Sequence, residues 1–342
     1  MSDSDDSVDI PSREECECRC KQFAEVTGTD TALAMFYLQD RKWELERSVN
    51  DFFAEQHNDQ ASSVKRQSES DSPAKKKQCI EDKPKPDPEP SRIRLLSWNI
   101  DGLDKKYIVQ RTQEVCKIIL EENPDIVYLQ EVVPDAEEII REKCPQYELI
   151  PGGDIEYYTA VMLKWSSVVK TSVKKTPFPN SVMQRNLMTL SVKVKGVECT
   201  LMTSHLESTA DFSTERKLQL QQAFKAMTEI PRGQPVIFGG DLNLRDKELQ
   251  EIGGLPGGTC DLWMVTGHRP EAKFTWDLTR NDNLEWPHKF KPRCRFDRLY
   301  LRDARPSQLK PVYFELVGLE RLKTCRRFCS DHWGLLAHFD KV

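Results

Sequence analysis

The chain opens with apolar residues that return every three or four positions. Cys16, Cys20, Phe23 and Val26 share one helical face, and Thr27-Gly28 ends the run. Leu33, Met35, Phe36 and Leu38 form a second such set, and Leu45, Val49, Phe52 and Phe53 a third. Short helices in a small bundle are therefore predicted over residues 12–56. From 57 to 91 large apolar residues almost vanish and Ser, Gln, Lys, Asp and Pro take over. Such a stretch cannot bury a core and reads as a disordered linker. From Arg92 the pattern alternates. Strands are predicted over 93–98, 125–129, 160–163, 187–194, 198–204, 235–238 and 298–301, with amphipathic helices over 107–120 and 215–227. This mixture predicts one large α/β domain with two packed sheets over residues 92–342.

Composition sharpens the division. The 342 residues are 38% hydrophobic and 31% charged. No run approaches the ~20 apolar residues that span a bilayer, so no membrane partner is expected. The start, MSDSDDSVDI, is acidic and has neither the basic nor the apolar region of a secretory or transit signal. The 11 cysteines lack zinc-type pairing and are expected to be reduced. The net charge of −5 conceals a split. Residues 1–91 carry 13 basic and 21 acidic side chains, and residues 92–342 carry 37 and 34. The larger domain is the positive one, which leaves a nucleic-acid partner open. Lys65-Arg66 and Lys75-Lys76-Lys77 fit a nuclear import signal in two parts, so a nuclear protein with a cytoplasmic pool is expected.

The candidate chemistry sits at strand ends. Strands run into Asn99-Ile100-Asp101-Gly102-Leu103, Gln130-Glu131, His205-Leu206-Glu207-Ser208 and Gly239-Gly240-Asp241-Leu242-Asn243-Leu244-Arg245. Phe296-Asp297 precedes another strand, and Ser330-Asp331-His332-Trp333-Gly334 follows near the end. Phosphodiester hydrolysis needs a cation, a group that orients and deprotonates water, and donors for the developing charge. Asp101 and Glu131 suit magnesium, which takes one or two carboxylates. Asn99, Asn243 and His332 can donate to phosphate oxygens. Asp297 or Asp331 could fix the His332 ring in its protonated form. The two glycines before Asp241 suggest a tight turn. Asn99 followed by Asp101 is also the pattern of an Asx turn. Lys289, Lys291, Arg293, Arg295, Arg298, Arg302 and Arg305 form either a charged loop or, beside Trp276 and Trp286, a grip on single-stranded DNA.

In this order and at these spacings, the motifs resemble the exonuclease–endonuclease–phosphatase superfamily. That resemblance implies a four-layer α/β sandwich. Within the superfamily, residues 203–208, 239–246 and 330–335 are similar to the branch that hydrolyses tyrosyl-DNA. Phe23-x-x-Val26-Thr27-Gly28, Ala34 to Leu38, Trp43-x-Leu45-Glu46 and Val49-Asn50-x-Phe52-Phe53 resemble UBA-like domains. A three-helix fold and weak ubiquitin binding follow from that likeness.

The resemblance also implies roles. Asp101 and Glu131 match magnesium-associated carboxylates, with Glu131 the direct ligand and manganese a workable substitute. Asn99 contacts the phosphate, Asp241 handles the water and Asn243 positions it. His332 stabilises the transition state and His205 makes a second phosphate contact. Ser208 and Arg245 fall where the family holds the 5′ end of DNA, with Ile100, Gly102, Leu103, Leu206, Glu207 and Leu244 in the same substrate-binding loops. Tyr157, Trp276 and Phe296 match an apolar wall for the terminal bases. Leu242 stands where a small polar residue is common, and its side chain is expected to point away. The implied substrate is single-stranded or 5′-end DNA joined to a topoisomerase-derived peptide through phosphotyrosine, in double-strand break repair. The alternatives are another superfamily nuclease, such as an abasic endonuclease or a deadenylase, and a ubiquitin-binding adaptor. Arg245 and the His-Leu-Glu-Ser motif speak against the first. The complete set of catalytic residues speaks against the second.

Overall fold

The computed structural model describes residues 13–29, 34, 38, 43–49, 52, 92–153, 156–286 and 290–342. The chain divides into two units, Met1–Pro90 and Ser91–Val342. Helix α1 (Arg13–Thr27) opens the first. Its end follows from the sequence: the Thr27 hydroxyl donates to Phe23 O at 2.7 Å, and Gly28 takes φ 70° while its N–H reaches Ala24 O. Phe23 and Phe52 meet edge to face at 5.7 Å, and Cys20, Val26, Ala34, Leu38, Trp43 and Val49 are buried around them. Cys16 and Leu45 are only half-buried. Leu33, Met35, Phe36, Phe53 and residues 57–91, with the Lys65-Arg66 and Lys75-Lys76-Lys77 runs, lie outside the described residues.

In the second unit β1 (Ile93–Asn99) leads through α2 (Ile108–Glu122) to β2 (Ile126–Val132) and α3 (Pro134–Lys143). Strands β3 (Tyr147–Pro151), β4 (Tyr158–Lys164), β5 (Val168–Pro177), β6 (Asn186–Val194) and β7 (Val197–Ser204) precede α4 (Ser213–Glu229) and β8 (Val236–Asp241). After α5 (Asp246–Glu251) come β9 (Thr259–Asp261), the ribbon β10 (Trp276–Asp277) and β11 (Arg293–Cys294), then β12 (Asp297–Arg302), β13 (Leu309–Val317) and β14 (Gly334–Lys341). One sheet has the order β13-β14-β1-β2-β4-β3 and the other β5-β6-β7-β8-β12-β9. Only β1·β2 and β7·β8 are parallel within these sheets.

Alternation along each strand divides the side chains between layers. On β1, Ile93 and Leu95 enter the core between the sheets, while Leu96 and Trp98 face α2 and α3. On β8, Ile237 points between the sheets, while Val236 and Phe238 pack under α4. The result is helix, sheet, sheet, helix, the expected four-layer sandwich. No helix among the described residues is long and apolar enough to cross a membrane.

Gly239 and Gly240 lie inside β8 instead of making a turn. A Cβ on Gly239 would stand 2.2 Å from Arg298 O, and one on Gly240 2.1 Å from Ser204 O. Gly240 also has φ 137°. The glycines allow close approach of neighbouring strands.

Candidate active site

Parallel strand pairs place their carboxyl ends together, so β1 and β2 of one sheet deliver Asn99 and Glu131 beside β7 and β8 of the other, which deliver His205 and Asp241. Asn99 joins the two sheets. Its Nδ2 donates to Asp241 Oδ2 at 2.9 Å and to Glu131 Oε1 at 3.2 Å. Its Oδ1 accepts from Asp101 N at 2.9 Å. The Asx-turn reading and the functional one thus hold together: the turn aims the amide. Asp101, Glu131 and Asn243 have φ of 51°, 57° and 47°. Asn and Asp tolerate this left-handed region, whereas Glu131 bears strain there.

Asp241 is buried at the centre. His205 Nε2 lies 3.3 Å from its Oδ2 and His332 Nε2 3.8 Å, while Asn243 N donates to Oδ1 at 2.9 Å. Burial opposes its charge, but the two histidines and the Asn99 amide outweigh this and hold its pKa below the usual carboxylate range. The histidines differ. Burial and the Arg185 guanidinium push His205 down to about 3, so it is neutral. Arg185 can only donate, at 2.9 Å to Nδ1, which leaves the His205 proton on Nε2, facing Asp241. At His332 burial is overcome by Asp297 and Asp241, and its pKa rises well above 6.5. Its Nδ1 lies 2.8 Å from Asp297 Oδ2. One neutral and one cationic imidazole therefore flank one carboxylate.

Asp297 is the partner of His332, and Asp331 is not: its Oδ2 accepts the indole N–H of Trp276 at 3.0 Å. Trp276 packs on Phe296 at 5.5 Å between centroids, and Arg245 lies over the buried Phe296 ring, 5.0 Å from its centroid. Tyr157 is absent from this stack and lies under Arg185, 5.2 Å away. Ser208 accepts from Arg185 at 3.2 Å and from Asn243 at 3.4 Å.

Several expected substrate-binding side chains face elsewhere. Ile100, Leu206 and Leu244 are buried in the apolar cores, as is Leu242, which does point away. Gly102 is pressed against Glu131 O, where a Cβ would stand at 2.0 Å. Glu207 is fully buried and accepts from Val182 N, Met183 N, Ser181 Oγ and Gln219 Nε2 at 2.8–2.9 Å. It pins the segment that carries Arg185. Leu103 alone of these side chains is well exposed, at 53%. The basic cluster is divided: Arg298 and Arg302 are buried, while Lys291, Arg293 and Arg305 are exposed. Arg298 pairs with Asp246 at 2.7 Å, Arg302 donates to Ile230 O, Arg295 pairs with Asp261 and Arg293 with Asp277. Lys289 lies outside the described residues.

Arg185, Thr275 and Arg111 belong to none of the expected motifs, and Ser330 opens one without an expected role. Ser330 Oγ donates to Asn99 O at 2.6 Å and accepts from His332 N at 3.0 Å. Thr275 Oγ1 accepts from Phe296 N and Asp297 N, both at 3.1 Å. The Arg111 guanidinium holds the 100–104 loop through Ile100 O and Asp101 O.

Residues 96–332 match the Endonuclease/Exonuclease/phosphatase family, and residues 19–59 match the UBA-like domain. Tyrosyl-DNA phosphodiesterase 2 of Xenopus laevis is 38% identical over 349 residues, covering 95% of this chain and 93% of the relative. The chain belongs to the tyrosyl-DNA phosphodiesterase 2 family. The Homo sapiens relative is 38% identical over 338 residues, covering 94% and 92%. The D. rerio TDP2 crystal structure complexed with single strand DNA product superposes at TM-score 0.71 with 38% identity, over 73% of this chain and 99% of that one. TDP2 from C. elegans gives 0.68 with 31% identity, over 99% and 98%. The chain is a phosphodiesterase hydrolase.

Enzymes of this superfamily depend on a divalent metal, and the donor set here fits one. Burial, then Asp331 and Glu131, raise Asp101 to about 8 against the pull of Arg111. Burial and Asp331 raise Glu131 to about 7. A cluster of oxygen donors short of positive charge is what a hard cation neutralises. Asp241, Asp297 and His332 also bring ligand atoms within 4.8 Å of one another. To ligate there, His332 would have to give up the proton that its two carboxylates hold.

Proposed function

We propose that the chain hydrolyses the phosphodiester joining a topoisomerase tyrosine to the 5′ end of DNA, with magnesium as cofactor, and leaves a 5′-phosphate. The setting is double-strand break repair in the nucleus, and the UBA-like region is a weak ubiquitin binder. The observation that carries this reading is Asp241: a buried carboxylate kept ionised between a neutral and a protonated histidine, on a scaffold of the tyrosyl-DNA phosphodiesterase 2 family.

Asp101 and Glu131 would hold magnesium, which supplies positive charge to the phosphoryl oxygens. The chain's own residues do the rest. Asp241 orients the attacking water and takes its proton, while Asn99 and the Asn243 N–H fix the carboxylate's direction. The His332 cation and the His205 Nε2–H are donors for phosphate charge. The Trp276–Phe296 stack with Arg245 and Ser208 offers an aromatic face and donors for a DNA end, in line with the DNA-bound D. rerio relative.

The leaving group favours this substrate. A phenol has pKa ~10, whereas an aliphatic alcohol lies near water's ~16, so tyrosine departs with less help from an acid. Asp241→Asn is expected to abolish turnover of a 5′-phosphotyrosyl oligonucleotide while binding of the oligonucleotide persists. Retained turnover would remove Asp241 from its role.

A further inference from the structure

The core between the sheets is apolar along most of its length and becomes polar beneath the active site. Ser97, Gln130 and Thr203 are all fully buried there. Ser97 and Asn99 share one face of β1, and Tyr128 and Gln130 are their partners on β2. Tyr128 shows where that face points, because its hydroxyl donates to Ile237 O of the other sheet at 3.1 Å. Both amide atoms of Gln130, the Thr203 hydroxyl and the Ser97 hydroxyl have no hydrogen-bond partner among the described residues. A buried amide with neither end satisfied is strongly disfavoured, and buried polar sites of this kind take up internal water.

Gln130 and Thr203 converge on one point. The place a Cβ would take on Gly240 is 3.2 Å from Gln130 Nε2 and 3.1 Å from Thr203 Oγ1. Gly240 precedes Asp241, and Gln130 precedes Glu131. The polar patch thus touches both strands whose ends must stay in register for Asn99 to reach across the sheets to Asp241.

We propose that Gln130 is a positioning residue: its buried amide and the Thr203 hydroxyl bind internal water between the sheets, and this bridge fixes Asp241 against Asn99 and Glu131. Ser97 extends the same polar patch along β1. The inference rests on Asp241 acting at the reacting phosphate, as proposed above.

The test compares Gln130→Met and Thr203→Val, which keep volume and remove the polar groups, with a chromogenic aryl phosphodiester as substrate. Each change is expected to lower kcat about tenfold, as a small misplacement of a catalytic group does, with KM nearly unchanged. The double variant should be little worse than either single one, because both remove the same bridge. Unchanged kcat, a rise in KM alone, or effects that simply multiply would overturn the inference. If Gln130→Met fails to fold, the kcat and KM of Thr203→Val decide. An Asp241→Asn control separates the two readings: if it is inactive while Gln130→Met is normal, only this inference fails. A crystal structure should show ordered water within hydrogen-bond distance of Gln130 Nε2 and Thr203 Oγ1, and a direct bond from Gln130 to protein in its place would contradict it.

Discussion

Glu131 concentrates the chemistry of the site in one side chain. It sits at φ 57°, accepts from Asn99, and is pushed up to about 7 by burial and Asp331. Glu131→Gln preserves shape and removes the charge that would hold the cation. Turnover is expected to fall ~10²–10³-fold, the usual loss for a key electrostatic group, with partial recovery at raised magnesium. Full activity of this variant, or of the native enzyme in chelator, would contradict the metal assignment. Asn99, Glu131, Asp241 and His205 were legible in the sequence because each stands at the end of an apolar strand, and His332 because it lies in the Ser330-Asp331-His332-Trp333-Gly334 motif. Arg185 was not, because it belongs to no motif. It matters through its 2.9 Å contact with His205, a residue brought near by β6·β7 pairing. Glu207 failed in the opposite direction. It lies inside a recognisable motif, yet its carboxylate satisfies two backbone N–H groups, a hydroxyl and an amide in the interior.

At the scale of elements, strand ends make the site and strand interiors set its dimensions. Gly240 is closely enclosed: a Cβ there would stand 2.1 Å from Ser204 O, 3.1 Å from Thr203 Oγ1 and 3.2 Å from Gln130 Nε2. Gly240→Ala must displace backbone and also suffers at φ 137°, so a loss of ~2 kcal/mol or more in urea unfolding is expected. Gly196→Ala is the control: it shares a positive φ of 92° but has open space around it, so its loss should be smaller. Equal stabilities would show that strand packing is not what the glycine serves. The amphipathic helices and the seven expected strands were legible through their apolar periods. β5 was missed because nine of its ten residues are exposed, so no alternation marks it. β9, β10 and β11, with two or three residues each, are too short to show a period. Arg295, Arg298 and Arg302 read as surface charge because sequence does not reveal that Asp261, Asp246 and the Ile230 carbonyl take them up in the interior.

At the scale of the whole molecule, the division at Pro90 separates a small helical unit from one that contains every residue of the site. Removing residues 1–90 is expected to leave kcat and KM on a short oligonucleotide nearly unchanged and to abolish ubiquitin binding. Steady-state kinetics and a ubiquitin titration check the two halves separately, and loss of most of the rate would show that the first unit takes part in turnover. The central claim concerns which bond the larger unit breaks. The direct measurement supplies equimolar 5′-phosphotyrosyl, 3′-phosphotyrosyl and unmodified oligonucleotides with magnesium and follows the products together. Release of tyrosine from the 5′ end, leaving an intact strand with a 5′-phosphate, is the expected result. Comparable cleavage of internal linkages, or preferential release from the 3′ end, would contradict it.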